Sequence, residues 1–132
     1  MRAVAPVFQV YRFGTEPPVW WRMVSPNGRG LARTVTAHES VAAALASIDM
    51  IRRGVDELEP SLRLTDRARW RWSLSLDGTP VVESMSDLDR RVRCDHALRA
   101  FVELAATAST DPVVHTFRAV VALRPAASRG AE

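Results

Sequence analysis

Cys94, Asp95 and His96 set a thiol, a carboxylate and an imidazole side by side in the chain. These are the groups of a cysteine nucleophile with its general base and orienting acid. The apolar spacing around them is helical, however, and adjacent or next-but-one residues of a helix point away from each other, so the three cannot converge locally. Cys94 falls on the apolar stripe and reads as a small buried core thiol. His38, His96 and His115 are isolated, and no HExxH, CxxC or other paired-ligand spacing accompanies them. There is no GxGxxG, no P-loop and no nucleophile elbow. With no supported nucleophile, metal site or matched acid–base pair, the chain reads as a non-enzyme without metal or cofactor.

Two arginine-bearing groups could bind instead of react. Arg90, Arg91 and Arg93 cluster where a helix should begin, and unpaired N–H groups with three guanidiniums could hold a phosphate. Asp87, Asp89 and Asp95 offset that charge, so a solvated loop is the simpler reading. The second group comes from RWRWSLSLDG, residues 69–78. Alternation puts Trp70, Trp72 and Leu74 on one face of a strand, buried, and Arg69, Arg71, Ser73 and Ser75 on the other. In the same register Trp20 shares the outward face with Arg22 and Arg71. Trp20, Arg22 and Arg71 are therefore the candidate binding face, able to stack a base or another flat ligand between indole and guanidinium. The competing reading covers Trp20 with the carboxy-terminal segment or a partner chain. Replacing Trp20 should leave stability unchanged, whereas replacing Trp72 should empty a core site.

Composition limits the partners. At 132 residues, 47% hydrophobic and 25% charged, the chain has the make-up of one soluble domain. A pI of 10.3 looks like a nucleic-acid signature. All 18 basic residues are arginine, however, and the formal charge is only +3. Residues 1–60 hold 7 Arg against 6 acids, 61–108 hold 8 against 7, and 109–132 hold 3 against 2, so no basic arm stands out. A single cysteine fits a reducing compartment, the first residues do not read as a signal peptide, and no apolar run reaches the ~18 residues of a membrane span. A cytoplasmic protein is expected.

The elements that must position these residues are written twice. VWWRMVSPNGRGLART (19–34) matches WRWSLSLDGTPVVES (70–84) with one residue missing. Val19, Trp21 and Met23 fall on Trp70, Trp72 and Leu74, and Asn27-Gly28 falls on Asp77-Gly78, both hairpin dipeptides. An alternating run precedes each hairpin, Phe8-x-Val10-x-Arg12 and Leu62-x-Leu64, and a helical stripe follows. The first stripe is Val41, Ala44, Leu45, Ile48, Ile51 and Val55; the second, set in parallel with it, is Cys94, Ala97, Leu98, Phe101, Leu104 and Ala108. Thr36 and Glu39 have capping-box spacing, Gly54 suits an αL cap, and Asp89 suits an N-cap. Met85 to Arg91 read as extra residues ahead of the second helix, and 56–60 as a linker. Residues 112–123 alternate like a strand but also carry a helical stripe; a strand is preferred for their valine content.

At these residues the chain resembles the YegP-like family: W-x-W-x-L, then N-G or D-G, a short apolar strand, and a short helix, over roughly residues 8–108. The resemblance implies a small bacterial or archaeal α+β domain of two tandem β-β-β-α repeats. They would form one antiparallel sheet with two helices packed on one face. It transfers no catalytic residue and no established biochemical function. The expected organisation is one domain over 1–125: repeat one at 8–57, repeat two at 61–108, an extension at 109–125, then a disordered tail at 126–132. The expected function is a small non-catalytic binding or protein-interaction module. Its partner would be another protein or, in a weak homodimer through a sheet edge, its own copy. The alternative is a nucleic-acid-binding protein using the Trp/Arg face; a membrane partner is not expected.

Overall fold

Runs of alternating residues become strands, and the two helical stripes become helices, in the computed structural model, which describes residues 5–117. The order is β1 (Val7–Phe13), β2 (Val19–Val24), β3 (Gly30–Thr34), α1 (Val41–Gly54), a 3₁₀ turn at Val55–Glu57, β4 (Glu59–Leu64), β5 (Trp70–Leu76), β6 (Thr79–Ser84), α2 (Arg91–Ala105) and β7 (Ser109–Phe117). The strands make one seven-stranded sheet in the order β4-β5-β6-β3-β2-β1-β7. It is a mixed sheet, which corrects the wholly antiparallel expectation: β7 runs parallel to β1, while the other pairs are antiparallel. No tight hairpin can join parallel neighbours, and here most of the chain lies between β1 and β7, with α2 leading from β6 into β7. The segment beyond 117, including the expected tail, lies outside the described residues.

Turn chemistry fixes the hairpins. Asp77 and Gly78 both have positive φ, 51° and 82°, as a two-residue type I′ turn between β5 and β6 requires. The β2–β3 connection is longer. Gly28 at φ 85° closes it, with Ser25 N–H donating to the Arg29 carbonyl and Gly28 N–H to the Ser25 carbonyl. The turn from β4 to β5 repeats this second pattern through Thr65, Ala68 and Arg69, and Ala68 takes the glycine-like conformation at φ 60°. An L-residue with a Cβ is strained there.

Helix boundaries depart from the local signals. Ser40, not Thr36, caps α1, its Oγ accepting from the Ala43 N–H at 3.0 Å. Arg90, not Asp89, holds the cap position of α2 and makes no side-chain cap bond. The cause is tertiary. His38 exchanges backbone hydrogen bonds with Val19, and Leu88 with Trp70, which holds both approach segments extended just before the helices. Gly54 has φ −129°, so it is no αL cap; the chain passes straight into the 3₁₀ turn. The expected linker is only partly a connection, because β4 begins at Glu59. Both helices start seven residues after the preceding strand, so Met85 to Arg91 are not additional. The buried helix residues match at a spacing of 50: Ala44 with Cys94, Ile48 with Leu98, Ile51 with Phe101, Val55 with Ala105. Cys94 thus stands where Ala44 does, not where Val41 does.

One core cluster joins both helices to the strands. Phe8 and Val10 of β1, Trp21 and Met23 of β2, Trp72 and Leu74 of β5 are all buried, as alternation demanded. Trp21 meets Phe8 edge to face at 5.4 Å, and its indole N–H donates to Ser47 Oγ at 2.9 Å, so its polar atom is satisfied. Trp72 lies against Phe101 of α2 at 5.3 Å. In the middle of the sheet β3 meets β6 with Ala32 opposite Ser84, Arg33 opposite Glu83 and Thr34 opposite Val82. Arg33 Nε and Glu83 Oε2 are 2.9 Å apart.

Candidate binding face

The parity that buries Trp21 turns Trp20 and Arg22 to the other side of the sheet. There β1 and β2 place Tyr11 opposite Trp20 and Gln9 opposite Arg22, and β7 brings Phe117 beside Phe13. Tyr11 and Trp20 stack at 5.8 Å with 21° between their planes. Phe13 meets Trp20 at 5.8 Å and Phe117 at 5.7 Å, and Tyr11 meets Phe117 at 6.1 Å. The Arg22 guanidinium lies over Tyr11 at 5.1 Å and Phe117 at 5.5 Å, while its Nε donates to Gln9 Oε1. Four aromatic rings and one cation therefore form a contiguous patch, with Phe13 still 46% and Phe117 37% exposed. Burial among the rings pushes the Tyr11 hydroxyl pKa up, opposed by Arg22 and then Arg33. Tyr11 thus stays a neutral hydrogen-bond donor. Such a surface offers large, rigid contact area with one oriented cation.

Of the residues singled out in the sequence, the structure brings Trp20 and Arg22 into this patch and leaves Arg71 out of it. Arg71 is on β5, separated from β2 by β6 and β3, which is about 14 Å of sheet. It donates to the Ser84 carbonyl at 2.9 Å and lies 3.0 Å from Asp87 Oδ1. Trp20 itself is half-buried by Tyr11 and Phe13 rather than bare. Tyr11, Phe13 and Phe117 were missed, although β1 gave a signal: VFQVYRF is apolar or aromatic at both parities, as in a strand covered on both faces.

The arginines at the start of α2 are dispersed. Arg93 pairs with Asp89 at 3.5 Å, Arg91 lies over the Trp70 ring at 5.8 Å, and Arg90 is exposed at the cap position. Cys94 is fully buried, and desolvation raises its thiol pKa, with Asp95 adding to the rise, while His96 is exposed on another face of the helix. A buried thiol with a raised pKa is the opposite of an activated nucleophile. Among the described residues no cluster of three or more His, Cys, Asp or Glu side chains could hold a metal ion. None of the described helices is long and apolar enough to cross a membrane.

A mixed seven-stranded sheet with two helices and an aromatic outer patch defines the class as an α+β domain. The fold is shared with two solved structures. One is the solution structure of YegP from E. coli, a protein of unknown function, at TM-score 0.64 and 14% identity, covering 86% of this chain and 94% of that one. The other is UPF0339 protein SO3888 from Shewanella oneidensis, at TM-score 0.63 and 7% identity, covering 85% and 91%. The likeness to the YegP-like family drawn from the W-x-W and Asp-Gly residues holds at the level of fold. No protein-family model matches the chain, and no curated protein matches it.

Proposed function

We propose that this chain is a non-catalytic interaction module built of two β-β-β-α repeats with both helices on one face, working in the cytoplasm. The outer aromatic patch is its contact surface for a protein partner. The repeat reading is supported by the central register. Ala32 and Val82, Arg33 and Glu83, Thr34 and Ser84 are equivalent positions in the two halves, and they pair reciprocally about Arg33–Glu83. That is how a strand pairs with its own copy across a two-fold axis. The interaction reading rests on one observation above the others: Tyr11, Phe13, Trp20 and Phe117 cluster on the outer face with rings still accessible. Monomers rarely leave so much contiguous aromatic surface without use. Paired arginines such as Arg33, Arg71 and Arg93 weigh against nucleic acid as the partner.

The test is affinity capture from native lysate with wild-type and Trp20→Ala proteins, each with and without nuclease. A protein captured by wild type, resistant to nuclease and lost with Trp20→Ala is the expected result. Capture abolished by nuclease, or a bound fraction falling steeply with salt, would transfer the reading to nucleic acid.

A further inference from the structure

The two halves differ in what fills the space between the helix and the strand beneath its outer edge. In the first half Phe8 faces Met23 across β1 and β2, and the Arg52 guanidinium lies over the Phe8 ring at 5.3 Å. In the second half Pro60 faces Leu74, the counterpart of Met23, and Val102 stands at the helix position of Arg52. Without the large ring and its cover, a groove of about 740 Å³ opens between α2 and β4. Its floor includes Leu62, Leu74, Leu98 and Val102, and it runs out to the edge of the sheet. Among the described residues nothing pairs with the outer edge of β4, whereas the corresponding edge of β1 is covered by β7.

That edge offers a second strand the N–H groups of Leu62 and Leu64 but none at Pro60. Thr65 donates inward to the Arg69 carbonyl, so alternation along β4 turns the backbone groups of Leu64 and Leu62 outward. Pro60, which has no N–H to give, occupies the same outward parity, as edge-strand proline does. Leu64 is 54% exposed.

The helix flank above the groove says what belongs there. Arg91, Asp95, Arg99 and Glu103 line it at four-residue intervals, a single row that alternates in sign, with Arg99 Nε donating to Asp95 Oδ2 at 2.9 Å within the helix. Laid antiparallel on its own copy about the level of Ala97, this row sets Arg91 against Glu103 and Asp95 against Arg99, with no like charges opposed. Laid parallel, every position would meet its own charge. In the sheet, an antiparallel β4 pair centred on Ser61 sets Arg63 opposite Glu59 on the outer face and Leu62 opposite Pro60 on the groove side, each Leu62 N–H donating to the facing Pro60 carbonyl with no bond in return. We propose that a second copy of this chain docks here, β4 beside β4 and α2 beside α2, closing a two-fold dimer over both grooves. The aromatic patch lies on the opposite face of the sheet, so this dimer and the partner contact stand or fall separately.

Sedimentation of four samples tests it: wild type, Arg99→Glu, Asp95→Arg, and an equimolar mixture of the two variants. Each variant opposes like charges twice across the axis, so each should dimerise about tenfold or more weakly than wild type. The mixture should recover a heterodimer, because glutamate at 99 then faces arginine at 95. Thermal melts at low concentration check that each variant is folded, and raised salt should weaken the wild-type dimer. Wild type that stays monomeric throughout the accessible concentration range overturns the proposal. So does a dimer indifferent to both reversals, or a mixture no tighter than its components.

Discussion

Replacing the two tryptophans of opposite parity measures the register directly. Trp72 is 2% exposed and lies against Phe101, so Trp72→Ala removes a side chain of about 200 Å², worth at most about 5 kcal/mol at ~25 cal/mol per Å². With partial collapse of the cavity the cost is about 3–5 kcal/mol. Trp20 is half-buried, and Trp20→Ala loses the Tyr11 stack and the Phe13 edge contact, about 1–2 kcal/mol together. This revises the expectation of an unchanged melting temperature, because the stack was invisible in the sequence. For a domain of this size each kcal/mol lowers Tm by about 4 °C. Trp72→Ala should therefore melt roughly 12–20 °C below wild type, and Trp20→Ala roughly 4–8 °C below. Urea titration should show the same order through the midpoint with an unchanged slope. Equal losses for the two variants would mean that the outer face is covered as completely as the core, and the aromatic patch would no longer be a contact surface.

Ala68→Gly should stabilise the fold by about 0.5–1 kcal/mol in a urea titration, since alanine at φ 60° carries an αL penalty larger than the entropy glycine adds to the unfolded chain. Arg52→Ala should loosen β7 first. Arg52 Nε donates to the Ala108 carbonyl at 2.9 Å and its Nη2 to Thr110 Oγ1, so hydrogen exchange should rise across Ser109–Phe117 before it rises in β5. Global stability should fall by about 1–2 kcal/mol, and unchanged β7 exchange would count against the clamp.

What the sequence made legible was what two neighbours in the chain can decide. Parity within a strand decided that Trp21 and Trp72 are buried while Trp20 and Arg22 face away, and Asp77-Gly78 decided a tight turn. Strand order is a different kind of fact. Arg71 was grouped with Trp20 because the sequence match sets β5 in parallel with β2, yet β3 and β6 pair at the centre and lie between those two strands. The helix offset failed for a related reason. Both stripes repeat nearly every three to four residues, so sliding one by three still superposes apolar on apolar, and Cys94 could be set against Val41 as easily as against Ala44. Only the long-range bridges Val19–His38 and Trp70–Leu88 settle the frame, because they fix where each helix can begin. The same logic explains the patch. Tyr11, Phe13 and Phe117 come from chain positions about a hundred residues apart. They meet because a parallel strand returns past α2 to lie against β1. A surface assembled by a strand that arrives about a hundred residues later has no local signature, and the half-apolar parity of β1 was the trace it left.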